Sequence, residues 1–189
     1  MLFRSLIMEF HYSHTGSYSK LSNSVDLASP QVNESSFSFL FSEFLSYQKR
    51  RVSSSTDLEQ KIDQCGFEIG YKILELLFSR MKPGKRPTKL MDVLQFISSS
   101  CWKYLFGRSL DALERGADNP NEYIMTDNHP LCSKYISVPK ELGEFSCCSF
   151  VGGIIRGVMV AAGYPCTVTA YDMKEEGSDG YSVYLIRLE

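Results

Sequence analysis

One helix constrains this fold more than any other feature. The segment from Thr56 to about Arg80 is apolar on too many sides. At about 100° per residue, Leu58, Ile62, Cys65, Ile69, Ile73 and Leu76 form one stripe, enough for an ordinary amphipathic helix. Phe67, Tyr71, Leu74, Leu77 and Phe78 widen the arc, and Lys61, Glu68, Lys72 and Glu75 crowd into a narrow strip. A rod with so little polar surface must be covered twice. Gly66 and Gly70 lie on the second arc, four residues apart. Each costs the helix about 0.5–1 kcal/mol relative to alanine, but bare backbone lets another helix come close. Two readings stay open: burial inside the chain's own fold, or a surface for a partner's helix. Phe39, opposite the apolar stripe of the preceding helix, favours the partner.

The second constraint is "EFSCCSFVGGIIRGVMVAAG", residues 144–163. Adjacent cysteines on a helix point about 100° apart, so Cys147 and Cys148 do not converge on one metal ion. No C-x-x-C or H-x-x-x-H spacing occurs, and no metal is expected. A Cys–His catalytic pair would need His129, which sits in a turn before Pro130 and reads as a solvent-facing loop residue. Gly152 and Gly153 lie within the apolar stretch rather than after a strand, and "GKRPT" lacks the hydroxyl residue of a phosphate loop. Arg156, four glycines and Pro165 argue against a membrane span. A central buried helix remains, its cysteines serving as small hydrophobes. Neither catalytic residues nor a cofactor are expected.

Twenty basic against twenty-two acidic residues create no global field, so nucleic-acid binding is not indicated. Six cysteines without framework spacing read as free thiols of a reducing, cytoplasmic compartment. "MLFRSLIMEF" is too short, and interrupted by Arg4, for a secretion signal. Residues 1–31 are expected to form a flexible tail, with Met8 an alternative start, and residues 32–189 a single domain.

Along that domain, Phe37, Leu40, Phe41, Phe44 and Leu45 mark a first helix capped by Asn33. Thr56 and Glu59 form a capping-box pattern for the second. A third helix runs from after Thr88 to Gly107, and "SLDALERG" adds a helical turn. "NEYIM" reads as a strand and "KYISVPK" as extended chain. "CTVTAYDM" and "YSVYLIRL" form a hairpin joined by "KEEGSDG". The expected class is mixed α/β (α+β), four main helices on an antiparallel sheet of about four strands. The loop between Arg80 and Lys89 has five basic residues and no acidic one. It reads either as a solvated loop or as an anionic-surface contact through Lys82, Lys85, Arg86 and Lys89.

"GFEIGYKILELLFSR", "CWKYLFG", "YISVPK" with "CCSFVGGIIRGVM", and "GYPCTVTA" together resemble the small subunits of the transport protein particle (TRAPP), closest to the subunit five branch. The resemblance spans about Val32 to Glu189. It implies pairing through the first two helices, which places an interface on Phe37, Phe39, Phe41, Phe44, Gly66, Gly70, Leu74 and Leu77. It further implies a heterodimer with the family's central small subunit, contact with a longin-like subunit, and a scaffold place at ER and cis-Golgi membranes. The assembled complex would support exchange on a Rab-type GTPase, with no nucleotide on this subunit. In the acylated branch a cysteine follows a Gly-Arg pair; here the loop reads Gly84-Lys85-Arg86, so a covalent acyl chain is not expected. An apolar small-molecule or lipid-binding domain is the alternative reading.

Overall fold

The computed structural model describes residues 32–81, 86–116, 119–139, 142–143, 145–173 and 180–189. Helix α1 spans Glu34–Lys49, and Asn33 caps it by accepting from the Ser35 N–H at 2.9 Å. Helix α2 spans Ser55–Arg80. Its cap is Ser54, whose hydroxyl accepts from the Asp57 N–H, rather than Thr56, which lies one residue inside the helix. Helix α3 (Leu90–Phe96) passes through a π-helical turn (Ile97–Cys101) into α4 (Trp102–Phe106). This rod stops at Gly107, whose φ of 74° is the left-handed cap that glycine adopts at least cost.

The expected helical turn at "SLDALERG" is instead a strand, β1 (Ala112–Arg115). It is too short to show a period, and its backbone pairs with β2 (Glu122–Asp127) from Ala112–Thr126 to Arg115–Tyr123. The single turn α5 (Leu131–Lys134) follows, and the chain from Ile136 to Pro139 has no regular structure. Helix α6 (Ser149–Ala161) precedes the hairpin of β3 (Cys166–Met173) and β4 (Tyr181–Leu188). The sheet order is β1-β2-β4-β3, antiparallel throughout. The expected α+β class, with helices packed on a four-stranded antiparallel sheet, is the observed one. The tail expected over residues 1–31 and most of the hairpin turn lie outside the described residues.

Helix α6 lies at the centre, with α2 on one side and the sheet on the other. Its buried residues include Phe150, Val151, Ile154, Ile155, Val158 and Met159. Toward the sheet, a Cβ on Gly152 would meet Ala170 and Val168 at 3.6 Å, an ordinary contact. Toward α2 there is no such room. A Cβ on Gly153 would stand on the Asp63 carbonyl, 2.8 Å from its carbon, and one on Gly157 would stand on the Phe67 carbonyl. Reciprocally, Gly66 and Gly70 of α2 face the carbonyls of Phe150 and Ile154. Two glycines from each helix thus mesh backbone to backbone. The side-chain volume given up is recovered as main-chain packing, which interiors keep dense. Asp63 and Arg156 pair across this seam, and the Arg156 guanidinium lies 4.4 Å from the Phe67 ring centroid. Burial pushes the Asp63 carboxyl above its usual range, while Arg156 pulls it back down.

Candidate functional site

The glycine seam corrects part of the expected interface. Gly66 and Gly70 do not present open notches, because helix α6 of the same chain fills them. Leu74 and Leu77, each 4% exposed, belong to the core, as does Phe41. Phe41 stacks on Phe37 at 5.5 Å between ring centroids and meets Phe150 at 5.3 Å; Phe44 also reaches Phe150, at 6.1 Å. Phe37 and Phe44 are half-buried on that core. Of the eight residues, only Phe39 stands clear, at 79% exposure. Helical spacing explains the split: one side of α1 carries Phe37, Phe41, Phe44 and Leu45 inward, leaving Phe39 outward.

Other apolar side chains on these two helices also lack core contacts. Leu40, Phe67 and Leu76 are half-buried yet outside the core cluster. Tyr47 and Tyr71 are 44% and 45% exposed. Tyr71 and Leu76 were visible in the wide apolar arc of α2. The spacing could not tell which part of that arc α6 would take. Helix α1 is tied at both ends. The Glu34 carboxylate accepts from Lys134 Nζ at 3.1 Å and from the Tyr135 hydroxyl at 2.9 Å, and these bonds hold its pKa below the usual value. Near the other end, Gln48 Nε2 lies 3.9 Å from Cys65 Sγ.

The cysteine pair has a structural setting. Cys148 Sγ lies 3.1 Å from Ser182 Oγ. Ser182 and Ser146 each donate to the Asp172 carboxylate, at 2.8 and 2.7 Å. Ser146 Oγ accepts from the Cys148 N–H, and the Ser146 N–H donates to Glu59 Oε1. The cluster secures the entry to α6 against both the hairpin and α2. Burial raises the Cys132 and Cys148 thiols well above their ordinary range and pushes Cys101 up to about 12, so thiolate, the nucleophilic form, is suppressed. His129 is elsewhere: it is exposed, its N–H bonds to Asp127, and its carbonyl accepts from Arg108. Among the described residues no group of three or more His, Cys, Asp or Glu side chains is placed to hold a metal ion, and no helix is long and apolar enough to cross a membrane.

Of the basic loop, Lys82 and Lys85 lie outside the described residues. Arg86 is engaged: it donates to the Phe78 carbonyl at 3.2 Å, and its guanidinium carbon lies 5.5 Å from the Phe78 ring centroid. Lys89 is exposed at the start of α3. A depression of about 350 Å³ beside Arg86 is lined by Pro87, Asp92, Gln95, Phe96, Ser99 and Ser100, so polar groups predominate and it opens to solvent.

Helices packed on a four-stranded antiparallel sheet are the fold that the family resemblance implies, and residues 37–189 match the family model described as "Transport protein particle (TRAPP) component". The chain belongs to the TRAPP component family. Within it the chain falls on the subunit five branch. It is 43% identical over 147 residues to trafficking protein particle complex subunit 5 of Dictyostelium discoideum, covering 78% of this chain and 79% of that one. The human subunit 5 is 36% identical over 141 residues, 75% of each chain. Subunit 31 of Saccharomyces cerevisiae is 29% identical, over 84% of this chain and 76% of that one. Among solved structures, the Naegleria fowleri subunit 3 covalently bound to palmitic acid superposes with a TM-score of 0.66 at 15% identity. That match covers 83% of this chain and 95% of the other and indicates a shared fold.

Proposed function

We propose that this TRAPP component is a non-catalytic scaffold subunit of the vesicle-tethering complex in ER-to-Golgi transport. Residues 32–189 form its single domain. The domain pairs with the family's central small subunit through the outward side of α1 and α2, and it contacts a longin-like subunit. In this reading it supports nucleotide exchange on a Rab-type GTPase only as part of the assembled complex. It is cytoplasmic and peripheral at ER and cis-Golgi membranes.

The observation that carries the pairing is Phe39, 79% exposed on a helix whose opposite side is fully used by the core. Burying such a side chain in a partner is worth about 1.5–3 kcal/mol, and among the described residues Phe39 is not packed against the core. Changing Phe39 to Glu leaves the core untouched, so the melting temperature of the isolated chain stays unchanged. Binding to the central subunit, followed by co-purification and calorimetry, weakens at least about tenfold. Undiminished binding would remove α1 from the interface. Exposed Lys89, with Lys82, Lys85 and Arg86, is proposed as a secondary contact to anionic headgroups. Sedimentation with phosphatidylserine vesicles tests it: the chain with all four changed to Gln should pellet less.

A further inference from the structure

The turn between α1 and α2 carries a motif that the pairing proposed above leaves unused. It reads Arg50-Arg51-Val52-Ser53-Ser54, the one place in the chain where two arginines are adjacent. They precede Ser53 by three and two residues. A protein kinase whose peptide cleft is lined with carboxylates reads that spacing, because each guanidinium forks onto a carboxylate at a set distance from the acceptor hydroxyl.

The fold presents the motif outward. The Arg51 N–H bonds to the Gln48 carbonyl at 3.0 Å and the Val52 N–H to the Lys49 carbonyl at 3.4 Å, which closes the turn. Val52 packs against the core, while Arg50, Arg51, Ser53 and Ser54 are exposed. Arg50 pairs with Glu43 at 3.1 Å, but the two side chains are 69% and 73% exposed, and a pair so open to water is weakly held.

Local geometry separates Ser53 from the hydroxyls that follow it. Ser54 caps α2, its Oγ accepting from the Asp57 N–H at 3.1 Å. Ser55 and Thr56 lie within the helix, and Ser55 is half-buried. Asp57 and Glu59 follow Ser54 and Thr56 by three residues, a spacing suited to a kinase that reads acidic residues, but those hydroxyls belong to the cap and the helix. Ser53 lies outside both helices.

A phosphate on Ser53 also has cations beside it. Ser53 borders an open depression of about 490 Å³ lined by Arg51, Asp57, Gln60, Lys61 and Gln64. Lys61 Nζ donates to the Arg51 carbonyl at 3.3 Å, which keeps the lysine beside the turn. Two cations thus face one carboxylate there, and a phosphoserine adds a charge of about −1.5 to −2.

We propose that Ser53 is a phosphorylation site for an arginine-directed serine kinase, read through Arg50 and Arg51, and that the phosphate is then held by Arg51 and Lys61. In the transfer, Ser53 Oγ bonds to the γ-phosphorus of ATP and the bond from that phosphorus to the β–γ bridging oxygen breaks. ADP leaves, and the hydroxyl proton passes to a carboxylate of the kinase.

The test treats the folded full chain with Mg-ATP and the catalytic subunit of cyclic-AMP-dependent protein kinase, and maps the product by tandem mass spectrometry. The expected product carries one phosphate, on Ser53. It is absent from Ser53→Ala, and its initial rate falls at least tenfold in Arg50→Gln with Arg51→Gln. Thermal melting confirms that each variant is folded. Four results overturn the site: no incorporation, phosphate on Ser54, Thr56 or Thr88 instead, a rate indifferent to the arginines, or labelling of a peptide spanning residues 46–60 but not of the folded chain. Phosphorus NMR reads the phosphate contact separately. In the folded chain the second ionisation should fall below its ordinary value of about 6, and Lys61→Gln should return it toward that value. An unshifted titration, or one indifferent to Lys61, overturns that contact.

Discussion

Gly152 and Gly153 are neighbours in sequence and in burial, yet the same methyl group should act on them with opposite sign. At Gly152 an added Cβ meets Ala170 and Val168 at 3.6 Å, where contact is ordinary. At Gly153 it falls on the Asp63 carbonyl, 2.8 Å from the carbonyl carbon and 3.0 Å from Cα. Those atoms are α2 backbone, so no side chain can rotate away, and the two helices must part along the whole seam. Gly→Ala in a helix gains about 0.5–1 kcal/mol from propensity alone. Overpacking a rigid site costs about 1–3 kcal/mol and sometimes more. Gly152→Ala is therefore expected to stabilise by up to about 1 kcal/mol, and Gly153→Ala to destabilise by about 1–2 kcal/mol net. For a chain of this length, a separation of about 2 kcal/mol corresponds to about 4–8 °C in melting temperature. Urea unfolding of the two variants beside the parent measures it, with an unchanged m-value confirming a common unfolded state. Equal shifts for both, or stabilisation by Gly153→Ala, would refute the helix contact described above.

Three further outcomes follow from the same structure. Under native conditions iodoacetamide should label Cys65, which is half-buried, well ahead of the buried Cys101, Cys132, Cys147, Cys148 and Cys166, and mass spectrometry of the intact chain counts the adducts. Its bonds to Lys134 and Tyr135 hold the Glu34 carboxyl below the ordinary glutamate range, so the tether is complete above that range and is lost as pH falls through the lowered folded-state value. Hydrogen exchange at the start of α1 should accelerate in that acid window, and Glu34→Gln should remove the acceleration. Ser146→Ala deletes the acceptor for the Cys148 N–H and one donor to Asp172, and should cost about 1–2 kcal/mol in chemical denaturation.

Most of the fold was legible because its elements carry strong local signals. The Asn33 cap, the glycine stop at residue 107 and both hairpin strands sit where period and turn chemistry put them. The errors fall where local signals compete or are too short. At α2, Thr56 with Glu59 offered a capping box, but Ser54 holds the extended φ and ψ that a cap requires, and the Glu59 carboxylate instead accepts from the Ser146 N–H across the fold. Strand β1 has four residues, "ALER", with no alternation of its own and is defined by the register of β2.

The candidate site was less legible, for a deeper reason. Spacing shows that a helix needs a close neighbour but not whether that neighbour belongs to its own chain. Gly66-x-x-x-Gly70 met its complement in Gly153-x-x-x-Gly157, which uses the same four-residue step. Both halves of the contact were thus written in one sequence, one in α2 and one in α6. Comparing those steps could have assigned the seam to the interior, and the outward side chains of α1 to whatever binds this chain. Once α6 claims the glycine side of α2, Phe39 is no longer the rim of a glycine-centred interface. In the pairing proposed above it becomes the main apolar anchor on α1, so partner binding should be far more sensitive to Phe39 than to either glycine in any variant that still folds.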